Sequence, residues 1–189
     1  MSGKKSINGR SGVFIDFSNL FRSIGKKDEV TNEKINYDIC YIKLRQFLKE
    51  QHNSPVFYNV YACVDTIPKI EPYITRALKH KRFLKFLSGV GYNVIQKDLK
   101  YLQNTTKCDT DVEITMDLHK FDPDIDNIIL FTGDSDFLKA VQHFQSKGKY
   151  VHIYAFKCSL SWELKTFSYQ NPRCNFTFLD DIKPIIERI

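Results

Sequence analysis

No run of apolar residues in this chain approaches the roughly 18 that a membrane-spanning helix needs, which excludes a helical span. The first ten residues, MSGKKSINGR, hold no apolar stretch, so the sequence predicts no secretion signal and a cytoplasmic protein. Cysteine is sparse and dispersed: Cys40, Cys63, Cys108, Cys158 and Cys174 form no CxxC pair and no zinc-ligand spacing. They read as free thiols in a reducing compartment, with Cys40 and Cys63 in the core. There is no GxxxxGK(S/T), and no GxGxxG follows the first apolar run, which argues against ATPase and dinucleotide-dependent dehydrogenase chemistry and predicts no nucleotide cofactor. No GxSxG supplies an activated serine, and His52, His80, His119, His143 and His152 give no pair with ligand spacing.

What is present fits one globular domain. A chain of 189 residues buries about 70% of its extended surface, enough for a core without disulfides or a structural metal. Fifteen Phe and ten Tyr supply much of that core, because aromatic side chains bury the largest apolar areas. The net charge of +6 favours anionic partners, yet the most distinctive polar motifs, FIDFSN, KCDTDVEI and TGDSDF, are acidic.

Apolar runs and helical periodicities alternate along the chain. GVFIDF, PVFYNVYACV, YNVIQKDL, NIILFTGDSDF and YVHIYAF read as strands, with NFTFLDD as an edge element. Between them, residues 36–49, ITRALKHKRFLKFLSGVG, DVEITMDLHKF, FLKAVQHFQSKG and SLSWELKTFSYQ read as helices. Such alternation predicts an α/β domain with a mainly parallel sheet flanked by helices. The expected domain covers residues 11–183, between a basic tail at 1–10 and a short tail at 184–189.

A parallel sheet holds ligands outside the carboxyl ends of its strands, where the strand order reverses. Asp16 ends the run VFI, Asp134 follows IILFTG, and Asp111 opens a helix after a polar loop. Three segments thus bring acids to one sheet edge, with Asp136 placed either to join them or to cap the next helix. Packed together, such acids repel and take up protons unless a cation shares their charge. Hard carboxylate oxygens suit Mg²⁺ or Mn²⁺, and with it a water nucleophile for phosphodiester hydrolysis. Asn19 and Asp117 are supporting candidates, although Asp117 lies on the second turn of its helix and a solvated surface position describes it equally well. Basic residues for phosphate contact are Arg76, Lys79 and Arg82 on one predicted helix, with Lys97, Lys100 and Lys107 on the approach to Asp111. Tyr92 and Tyr101 are candidates for base stacking.

The ordered motifs VFIDFSNLF, DVEITMD, IILFTGDSDF and KGKYVHIYAF resemble the NYN domain group, a branch of the PIN-like ribonuclease superfamily that includes LabA-like proteins. The resemblance spans roughly residues 10–182. It implies a Rossmann-like PIN fold and an Mg²⁺- or Mn²⁺-dependent ribonuclease acting on single-stranded RNA. By the family motif, Asp16, Asp111, Asp134 and Asp136 become catalytic and metal-binding, supported by Asn19, Asp117 and Ser135. One departure stands out: the family commonly has lysine, glycine, an apolar residue and then the middle acid, whereas this chain has KCDTD. Asp109 and Asp111 therefore compete for that place, and Asp111 is preferred because it preserves the following helix. Alternative readings are a noncatalytic RNA- or protein-binding module and a metal-dependent DNA nuclease or phosphatase. A homodimer through the fourth-to-fifth-strand region or the closing helix is a further expectation.

Overall fold

The structure is a computed structural model that describes residues 9–24, 38–66, 72–101 and 106–188. Its sheet strands are β1 (Ser11–Asp16), β2 (Phe57–Val64), β3 (Asn93–Asp98), β6 (Asn127–Phe131), β7 (Tyr150–Ala155) and β8 (Cys174–Phe178). They form one parallel sheet in the order β3-β2-β1-β6-β7-β8. Two short strands, β4 (Lys100–Tyr101) and β5 (Thr106–Lys107), make a separate antiparallel ladder inside the stretch expected to be a polar loop.

The central strands read as continuous apolar runs because both of their faces are covered. All six residues of β1 and all five of β6 are buried. One face packs against α1 (Phe17–Ser23), α2 (Tyr41–Gln51) and α3 (Tyr73–Gly89), with Val13, Ile15, Val60, Ile129 and Phe131 meeting Leu20, Leu44, Leu48, Leu84 and Leu87. The opposite face packs against α4 (Asp111–Phe121), α5 (Leu138–Ser146) and α6 (Trp162–Gln170), with Phe14, Ile128, Leu130 and Ile153 meeting Ile114, Leu118, Val141, Phe144 and Leu164. In α4, Ile114 and Leu118, four residues apart, face the core, while Val112 and Met116 are each 65% exposed.

Several expectations need correction. The stretch read as a short C-terminal tail holds most of α7 (Lys183–Ile186), which packs on α2; Ile186 is buried, and its carbonyl accepts a hydrogen bond from Cys40 N. Cys63 and Cys108, expected as free thiols, form a disulfide between the end of β2 and the loop before α4. Burial removes Tyr92 from stacking, since its hydroxyl donates to the Tyr41 carbonyl within the core. Among the described residues no helix is long and apolar enough to cross a membrane. Residues 1–8 of the expected basic tail and residues 36–37 of the second predicted segment lie outside the described residues.

Candidate metal centre at the sheet switch point

From β1 the chain continues outward through β2 and β3, while from β6 it continues the other way through β7 and β8. The crevice between β1 and β6 is therefore the topological switch point, where parallel sheets bind ligands. Asp16 ends β1 on one side of it. Three residues beyond Phe131, the end of β6, stands Asp134.

Each acid is held by the local backbone. Asp16 caps α1, its Oδ1 accepting from Asn19 N at 3.0 Å. Asp134 caps the tight turn Ser135–Phe137, its Oδ1 accepting from Asp136 N at 3.0 Å, while its own N–H donates to Thr132 Oγ1. The cap expected from Asp136 is thus supplied by Asp134, and Asp136 is exposed. Asp109 is exposed as well and accepts from Asp111 N at 2.9 Å, shaping the entry to α4.

These turns bring Asp111, Asp134 and Asp136 together. One carboxylate oxygen from each lies within 4.8 Å of the other two, the only such group of potential metal ligands among the described residues. Asp16 stands outside that three-way set, only 4% exposed, at a range where its charge raises the pKa of Asp111. Burial pushes Asp16 above the usual carboxylate range, with Asp134 adding to the shift, and backbone N–H groups of Asn19 and Ser18 pull against it. Asp111 is pushed up to about 7, by burial first, then by Asp109, Asp16 and Asp134. Asp109 moves the opposite way, held below its usual range chiefly by the Asp111 N–H. A group of oxygens this close, one of them resisting ionisation, suits a hard divalent cation.

The supporting residues separate by role. Asn19 spans the switch point: its backbone N–H holds Asp16, and its side-chain Oδ1 accepts from Gly133 N at 3.1 Å. Gly133 itself is required by a close approach, since a Cβ there would sit 2.0 Å from the Ser159 carbonyl oxygen. Ser135 is exposed in the turn between Asp134 and Asp136. Asp117 accepts from the Tyr61 hydroxyl at 2.7 Å, and Tyr61 accepts from Asn59, which accepts from Asn93. That chain anchors α4 to β2 and β3.

Of the basic candidates, Lys97 is already engaged, bonding Glu113 at 2.8 Å and the Asp109 carbonyl. It holds the Asp109–Asp111 loop against β3. Lys100 and Lys107 are exposed on the β4–β5 ladder. Arg76 and Lys79 line a groove between α1 and α3. Arg82 does not line it, because 100° per residue carries position 82 to another side of the helix. Two contributors escaped sequence reasoning: the Asn19–Gly133 bond, which joins residues 114 positions apart, and the Cys63–Cys108 disulfide. Neither leaves a local motif that would betray it.

Over 158 residues the chain is 26% identical to the low amplitude and bright protein LabA of Synechococcus elongatus, a match covering 75% of this chain and 82% of that protein. The crystal structure of a protein of unknown function from Vibrio parahaemolyticus is similar with a TM-score of 0.66 and 24% identity, covering 100% of this chain and 99% of the other. That second likeness is one of fold. The NYN domain model matches residues 10–171, from the start of β1 through the whole carboxylate group, and this chain belongs to the NYN domain family.

Proposed function

We propose that the protein is a divalent-metal-dependent ribonuclease that hydrolyses phosphodiester bonds of single-stranded RNA. The observation that carries this reading is the meeting of Asp111, from the start of α4, with Asp134 and Asp136, from the turn after β6, at the switch point of a parallel sheet. Family membership supports it: NYN domains have a PIN-like nuclease fold, generally use divalent metals, and as nucleases imply a nucleic acid substrate.

In this reading Asp111, Asp134 and Asp136 hold Mg²⁺ or Mn²⁺. When bound, the ion lowers the pKa of a water and offsets the negative charge that develops on the phosphate oxygens and leaving group. The protein's share is positional. Asp16 supplies a fourth carboxylate from the β1 side, in place to join the ligand set or orient the attacking water. Asn19 keeps the Asp16 and Asp134 turns in register, so the two acids move together. Ser135 stands at the open side of the turn, where a substrate phosphate enters. Lys100 and Lys107 offer phosphate contacts near Asp111, with Arg76 and Lys79 further along the strand path.

Purified protein is incubated with labelled single-stranded RNA, with Mn²⁺ or with chelator, beside Asp134→Asn. The reading expects cleavage that chelator abolishes and that the substitution lowers at least a hundredfold, in line with losing an electrostatic element of a catalytic centre. Cleavage insensitive to both overturns the site. Metal-dependent cleavage of DNA in preference to RNA changes the substrate, while RNA binding without cleavage of any nucleic acid favours a noncatalytic module.

A further inference from the structure

Beside the carboxylates, between α1 and α3, lies a groove of about 970 Å³ that neither the metal chemistry nor the family comparison assigns. Its floor is a column of rings. Phe17, the residue after Asp16, stacks with His80 at 5.6 Å and 18° and with Phe21 at 5.7 Å and 21°. Phe21 is the open end of this column: one face lies on Phe17, yet the side chain is 64% exposed. A second aromatic, Tyr73, is 52% exposed on the same groove, and the Arg76 guanidinium lies over it at 5.9 Å.

The charge of the groove complements a polyanion. Arg22, Arg76 and Lys79 line it. Its two acids are already engaged, Asp38 with Arg188 at 3.3 Å and Asp65 as acceptor from the Tyr101 hydroxyl. The groove begins next to the β1 side of the candidate metal centre: Phe17 and Ser18, which line it, directly follow Asp16, and Arg22 is near enough to Asp16 to act on its carboxylate.

An exposed ring ending a stack, flanked by cations, matches the way proteins hold unpaired bases: the ring supplies a π-face and the cations take the flanking phosphates. We propose that Phe21 is a stacking subsite for an unpaired nucleobase of single-stranded RNA, with Arg22, Arg76 and Lys79 gripping the phosphates on either side. This rests on the ribonuclease reading and adds a reason for single-strand preference, because a base stacked in a duplex has no free face to give Phe21. The groove's volume falls in the range that ligand sites occupy, and so accommodates a base with its sugar.

The test measures binding rather than cleavage, so it is independent of the metal. Fluorescence anisotropy in chelator follows a labelled single-stranded RNA 10-mer, the same strand in a duplex, and the same strand with abasic sites. Substitutions are Phe21→Ala, Phe21→Trp and Arg76→Ala, with Lys49→Ala, exposed on α2, as a control off the groove; Phe21 is a surface side chain, and circular dichroism checks folding. The proposal expects about a tenfold loss of affinity in Phe21→Ala, restoration in Phe21→Trp, and little change in Lys49→Ala. It also expects the abasic strand to bind parent and Phe21→Ala alike. Equal binding of the base-bearing strand by parent and Phe21→Ala overturns the subsite and leaves the nuclease reading untouched. Absence of single-strand binding in the parent, or a dimer that Phe21→Ala splits into monomers, also overturns it, the latter assigning the groove to a second copy. Phe21-dependent binding without metal-dependent cleavage supports the subsite while refuting the nuclease.

Discussion

Asp111 carries the sharpest electrostatic conflict in the molecule, and it has a measurable sign. Its folded pKa of about 7 stands above the ordinary value of 3.8, so the folded state keeps a proton that the unfolded chain gives up. Its contribution to stability is therefore present below the unfolded value and is lost as pH rises through the folded one. Without metal, the parent protein is expected to lose urea resistance from about pH 4 to about pH 7 more steeply than Asp111→Asn, and Mn²⁺ to remove that difference. Parallel pH profiles for the two proteins would show that Asp111 feels no such repulsion. Asp111 was also the acid that sequence left in competition with Asp109. Folding separates their tasks, because Asp109 spends an oxygen on the Asp111 N–H while Asp111 faces the other acids.

At the scale of elements, the acids depend on how three turns are tied together. Asn19 joins the β1 turn to the β6 turn, and the disulfide from Cys63 to Cys108 ties the loop before α4 to the end of β2. The disulfide closes 45 residues of chain, worth about 4 kcal/mol in loop entropy. Cys108 lies three residues before Asp111, so releasing it loosens the very loop that delivers that carboxylate. Reduction and alkylation should weaken Mn²⁺ binding at least tenfold by calorimetry. Unchanged affinity would mean that Lys97, through Glu113 and the Asp109 carbonyl, holds the loop unaided.

The same elements show where sequence is informative. β1, β6 and α4 were legible because burial on both faces writes an apolar run and burial on one face writes a helical period. Asp16 and Asp134 were legible because each follows such a run. The seven-residue α1 was not, since it is too short to write a period, nor was the β4–β5 ladder with two residues a side. Contacts between distant segments, such as Asn19 with Gly133 or Tyr61 with Asp117, leave no local trace and needed the fold.

For the molecule as a whole, two histidines, His52 buried and His152 half-buried, are kept neutral by desolvation. His52 is lowered to about 4 and His152 to about 3, and their neighbours are hydroxyls, Tyr154 for His52 and Thr177 for His152, each at 2.8 Å. With folded values below the ordinary 6.5, the unfolded chain binds more protons in acid, so stability is present above 6.5 and is lost as pH falls toward those values. In Asp111→Asn, where the opposing carboxylate is gone, the urea midpoint should drop from about pH 6.5 to about pH 4.5. A flat midpoint would place charge, or water, around these rings. Beyond stability, the global arrangement explains why a chain of net charge +6 has an acidic centre: the carboxylates gather at one crevice while cations line the groove beside it.

That arrangement amounts to one claim, that the crevice between β1 and β6 is built for a divalent cation. The most direct measurement is an anomalous-difference map from metal-free crystals soaked in Mn²⁺. A peak is expected about 2.1 Å from oxygens of Asp111, Asp134 and Asp136. A saturating soak that leaves those three carboxylates bare, with Mn²⁺ absent or bound elsewhere, would contradict it.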